Sequence, residues 1–141
     1  QDLKGTDPVD FEQFVKKNGN ALAFASLGQQ RYLSCLALVD GVVGNSSSGL
    51  AEVPSFNKGT INIGDRQKGR LKSISVIDCE PIQKSIKAAL EKLYSPEFQL
   101  NLTKACNPYG DGGASEKIVT IIKNATINEI IKKSFHDLPN R

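Results

Sequence analysis

Apolar positions recur along this chain with two spacings, and the change from one to the other predicts its elements. Behind Pro81, the residues Ile82, Ile86, Ala89, Leu90 and Leu93 fall at helical intervals, with Lys84, Lys87 and Lys92 off the stripe. Tyr32, Leu33, Leu36 and Val39 repeat that spacing over 29–38. Asp7 and Pro8 open an earlier helix with Phe11, Phe14 and Val15 on one face. Ile118, Ile121 and Ile122 predict the buried side of a helix over 114–123, and Thr126 with Glu129 reads as the capping box of a last short helix. Short apolar runs at 21–25, 41–44, 60–63 and 75–77 have strand length instead. Strands alternating with helices predict an α/β fold with parallel pairing. Ligands of such sheets bind beyond the carboxyl ends of the strands, so the turns at 26–30, 45–49 and 64–70 should open on one edge.

The middle turn carries the most chemistry. In Gly44-Asn45-Ser46-Ser47-Ser48-Gly49-Leu50-Ala51-Glu52, a strand runs through small polar residues into a helix start. That arrangement gathers free backbone N–H groups, hydroxyls and the positive end of a helix dipole, which together attract phosphate. The plainer alternative is a serine capping a helix. Arg66, just after the run 60–63, is the complement a phosphate calls for, because a guanidinium donates two parallel hydrogen bonds; the other reading is a solvated charge. Lys68, Arg70 and Lys72 read as surface charges. Glu52 would be repelled by phosphates and suits ribose hydroxyls, or is an ordinary exposed glutamate. Tyr32 suits either a base or the core.

Composition narrows the classes further. With 39% apolar and 23% charged residues, the chain reads as one ordinary soluble domain, residues 1–141. No apolar stretch has bilayer-crossing length, which argues against a membrane and for the cytosol. A net charge of +3 and few aromatic rings argue against nucleic acid. Cys35, Cys79 and Cys106 lack CxxC spacing and are expected as free thiols. There is no Ser-His-Asp set, metal cluster or GxxxxGK[ST] loop, and the single histidine, His136, sits in a polar tail. No catalytic residue, metal or cofactor is therefore assigned. The absence of methionine, even at position 1, suggests a piece of a longer chain.

The residues Gly44-Asn45-Ser46-Ser47-Ser48-Gly49, then Glu52, then Asn62-Ile63-Gly64-Asp65-Arg66-Gln67-Lys68-Gly69-Arg70, then Asn107-Pro108-Tyr109-Gly110-Asp111-Gly112 resemble the carboxyl-terminal half of the UDP-N-acetylglucosamine 2-epimerases, over about residues 18–136. The branch most similar is the hydrolysing one, which releases N-acetylmannosamine and UDP for sialic acid synthesis. The resemblance implies a Rossmann-like parallel sheet flanked by helices, one half of a glycosyltransferase-B-type enzyme, with residues 1–141 as its UDP-binding domain and the amino-terminal domain absent. It implies that Ser46 and Ser47 hold the diphosphate of the UDP-sugar, Glu52 the ribose and Arg66 the nucleotide, with Tyr32 at the uracil pocket. It also implies acid–base residues in the other domain and a homo-oligomeric full-length enzyme. In the family's chemistry UDP leaves by elimination across C1 and C2, and water adds to the glycal. A sheet of about four strands, lacking the family's first strand and helix, would expose an apolar edge prone to self-association. The same layout also fits the donor-binding domain of a UDP-sugar glycosyltransferase or a non-catalytic nucleotide-binding module.

Overall fold

The computed structural model describes residues 8–126, so Asp7, Glu129 of the expected capping box and His136 lie outside the described residues, as does the side chain of Phe11. The chain divides into two compact units, Gln1–Tyr109 and Gly110–Arg141. In the first unit α1 (Pro8–Lys17) and α2 (Gly28–Leu38) precede β1 (Gly41–Gly44), α3 (Ser48–Ala51) and a 3-10 turn (Val53–Phe56). Then come β2 (Gly59–Ile63), β3 (Val76–Cys79), α4 (Gln83–Leu93) and α5 (Pro96–Leu102). The strands form a parallel sheet in the order β1-β2-β3, with Val43, Ile61 and Ile77 in register. This is an α/β fold of Rossmann-like character.

The core lies under β2, β3, α4 and α5, where Ile61, Ile77, Ala89, Leu93, Phe98 and Leu102 form one buried cluster. Parallel strands are covered on both faces, and β2 in the middle of the sheet is buried at every residue from Gly59 to Asn62. Gly59 lets α4 press close: a Cβ there would sit 2.2 Å from Leu93 Cδ1. The α4 stripe is only half used, since Ala89 and Leu93 are buried while Ile82 and Leu90 face outward. Sequence periodicity did not predict α5. Its start is nevertheless complete: Ser95 Oγ accepts from Phe98 N–H at 3.3 Å, with Pro96 in the first turn and Glu97 beside the helix dipole.

Two expectations fail. Residues 21–25 form no strand; Leu22 and Phe24 are exposed, and the sheet has three strands among the described residues, not four. A run of apolar residues becomes a strand only where a neighbouring edge pairs with it. In the second unit, α6 (Ala114–Asn124) occurs where its periodicity placed it, yet it buries none of its residues, including Ile118, Ile121 and Ile122. Within that unit it is the one described helix, so its stripe has no described element to pack on. All three cysteines are free, and no described helix is long and apolar enough to cross a membrane.

Candidate functional site

The parallel sheet puts the turns after β1 and β2 side by side, because Gly44 is in register with Asn62. Asn45 begins the first turn and joins it to the second. Its backbone carbonyl accepts from Gln67 Nε2 at 2.7 Å, and its Oδ1 lies 3.4 Å from Arg66 Nη1. Arg66 is exposed, and this long contact is its one hydrogen bond among the described residues, so most of its N–H groups face solvent. The loop that carries Arg66 and the turn that carries the serines thus meet at Asn45.

Within the turn the hydroxyls have different tasks. Ser48 Oγ donates to Glu52 Oε2 at 2.5 Å and is also hydrogen-bonded to Tyr32 Oη. A hydroxyl has one proton and an ionised carboxylate only accepts, so Tyr32 is the donor to Ser48. Tyr32 and Glu52 are therefore tied to the turn through Ser48, which the sequence reading did not single out. That link brings α2 to this edge, whereas residues 28–30, expected in a turn, are its first residues. Ser46 Oγ accepts from Ser48 N–H at 3.3 Å, which leaves its own proton free to donate. Ser47 stands at the cap of α3, but its side chain makes no capping hydrogen bond. The helix-start N–H of Ser48 is taken by Ser46 instead.

The dipole argument needs correction. Only four residues, Ser48–Ala51, are α-helical before a 3-10 turn containing Pro54 replaces the helix. A single turn sums few peptide dipoles, and the N–H groups of Ser48, Gly49 and Leu50 are already bonded within the turn, so what the site offers an anion is hydroxyls and the guanidinium. The turn sits directly on β2. Thr60 Oγ1 donates to Gly49 O at 2.8 Å, and a Cβ on Gly49 would lie 2.6 Å from Thr60 Cγ2. From behind, Asn107 Nδ2 donates to Ala51 O at 2.8 Å and Ser55 Oγ at 2.7 Å, while Tyr109 Oη donates to Leu71 O at 3.1 Å.

A hollow of about 560 Å³ opens beyond the ends of β2 and β3, between Gly64, Asp65, Asp78, Glu80 and Ser85. Lys72 donates to Asp78 Oδ1 and Oδ2 at 2.8 and 2.7 Å, and Asn62 Nδ2 donates to Oδ1 at 2.7 Å. Partial burial alone would raise the Asp78 pKa. The hydrogen bonds and charge of Lys72, with the Asn62 amide, outweigh it and hold the carboxyl below its ordinary value. Burial, and then the charge of Asp78, push the Cys79 thiol up. Among the described residues no group of His, Cys, Asp and Glu is placed to hold a metal.

The profile of the family described as UDP-N-acetylglucosamine 2-epimerase matches residues 4–123. The chain is 43% identical over 129 residues to the GDP/UDP-N,N'-diacetylbacillosamine 2-epimerase (hydrolyzing) of Campylobacter jejuni, covering 90% of this chain and 33% of that protein. It is 38% identical over 115 residues to the polysialic acid biosynthesis protein P7 of Escherichia coli, covering 81% and 29%. It is 37% identical over 106 residues to the UDP-N,N'-diacetylbacillosamine 2-epimerase (hydrolyzing) of Legionella pneumophila, covering 74% and 27%. The chain spans about a third of the length of the curated relatives it matches. With most of its residues under one family profile, the chain belongs to the UDP-N-acetylglucosamine 2-epimerase family.

Proposed function

We propose that residues 1–141 are the carboxyl-terminal UDP-binding part of a hydrolysing UDP-sugar 2-epimerase. The observation that supports this best is the meeting of Arg66 with the serine turn through Asn45, across two neighbouring parallel strands. A diphosphate seated there receives the hydroxyls of Ser46 and Ser47 and the guanidinium of Arg66. Glu52, fixed through one carboxylate oxygen by Ser48, keeps the other for a ribose hydroxyl. Tyr32, whose hydroxyl is committed to Ser48, offers its ring to the uracil.

These groups assist departure of UDP. In the elimination a proton leaves C2 of the sugar, the C1–O bond breaks with its electrons going to the diphosphate, and a glycal remains. Donors aimed at the departing oxygens lower the barrier by stabilising charge that grows in the transition state. Water then returns hydrogen to C2 and hydroxyl to C1, giving the free 2-epimer. Proton transfer at C2 is assigned to no residue of this chain.

UDP-N-acetylglucosamine is the substrate read from the sequence, with N-acetylmannosamine and UDP as products. A second reading, UDP-N,N'-diacetylbacillosamine, is favoured by the names of the Campylobacter and Legionella relatives. Calorimetric titration of the chain with UDP, UMP and ATP tests the binding role. UDP should bind tightest, UMP weaker for want of the second phosphate, and ATP weakest. No preference for UDP would overturn the proposal. Incubating the whole enzyme with each UDP-sugar, with products followed by NMR, decides between the sugars, and transfer to an acceptor without release of free sugar would reassign it to a glycosyltransferase.

A further inference from the structure

Gln67 lies in a loop rich in charge, yet it is 2% exposed. Its Nε2 donates to the carbonyl of Asn45 at 2.7 Å, and its Oε1 is buried with no hydrogen-bond partner among the described residues. A buried amide oxygen without a partner destabilises the fold, and an apolar side chain of the same length would avoid that cost. What the amide supplies is the short bond to the residue that opens the serine turn. Arg66, just before it in the chain, is exposed and makes only the long contact to Asn45 Oδ1. We propose that Gln67 is the positioning residue of the UDP site: its amide locks the turn at 45–48 to the loop carrying Arg66, so that hydroxyls and guanidinium are held at one spacing for a diphosphate.

This rests on the UDP-binding reading above, and the test separates the two. Gln67→Met keeps length and removes both polar atoms. Gln67→Glu keeps shape and replaces the donor with an acceptor that repels the Asn45 carbonyl. UDP affinity of the whole chain is measured by calorimetry at neutral pH, and amide hydrogen exchange is followed at Ser46–Ser48 and along β2. Both variants should bind UDP about tenfold more weakly, the usual effect of losing one buried hydrogen bond. Exchange should quicken at Ser46–Ser48 while Ile61 and Asn62 stay protected. Lowering the pH should restore part of the affinity in Gln67→Glu, as the protonated carboxyl regains a donor, and none in Gln67→Met. Unchanged UDP affinity in Gln67→Met would overturn the proposal. So would exchange that quickens equally in β2, or unfolding of both variants, either of which makes Gln67 part of the core. Failure of the unaltered chain to bind UDP would instead strike the reading beneath it.

Discussion

Two crests stand at the carboxyl ends of this sheet, and they use their cations differently. Beyond β2 and β3, Lys72 is held by Asp78 with two short bonds, so its charge is spent inside the protein. Where the turns after β1 and β2 meet at Asn45, Arg66 makes one long contact and keeps its charge for whatever arrives. A basic loop in a sequence shows neither arrangement. The availability of a cation, more than its presence, marks which crest suits a diphosphate.

The largest test of that contrast is Arg66→Ala. Losing a charge-assisted hydrogen bond costs about 1.5–3 kcal/mol, so UDP affinity measured by calorimetry should fall roughly 10- to 150-fold. An unchanged affinity would erase the difference between the crests. Ser46→Ala and Ser47→Ala each remove a neutral donor worth about 1 kcal/mol, and UDP should bind about fivefold more weakly. The melting temperature of Ser47→Ala should stay near that of the parent chain, because that side chain makes no capping bond.

A smaller effect concerns acid. Asp78 has its folded pKa held below the unfolded value, so it contributes stability that is present above the unfolded value of about 3.9 and disappears as pH falls through the lower folded one. Asp78→Asn should flatten that limb of a melting-temperature profile. A profile that keeps its slope would mean that the Lys72 pair does not govern it. The smallest expected effect is that of Lys72→Ala on UDP binding, which should stay within about twofold since its charge is already engaged. A large loss would move the ligand toward the second crest.

The elements that announced themselves had long periodic stripes or a Pro or Gly at their ends, as α2, α4 and α6 do. The seven-residue α5 escaped because its stripe is too short to repeat, although Ser95, Pro96 and Glu97 spell out its start. The run at 21–25 misled because pairing is a property of neighbours, which a local pattern does not contain. At the site, the closeness of Arg66 to the serine turn was readable from strand order alone. The task of Ser48 and the burial of Gln67 were not: one depends on where α2 meets α3, the other on a loop folding back over Asn45. A glutamine amid Asp65, Arg66 and Lys68 gives no sign of being enclosed.

The bond from the Thr60 hydroxyl reaches the serine turn at the backbone carbonyl of Gly49 and engages no side chain of the turn. Height above the sheet is consequently decoupled from the identity of the groups on top. The hydroxyl of Ser47, which makes no capping bond, can be exchanged for another polar group with the platform left level, whereas enlarging Gly49 would press on Thr60 Cγ2. The groups displayed on the summit are therefore open to single substitutions, while Gly49 beneath them has no room for a side chain unless Thr60 shifts.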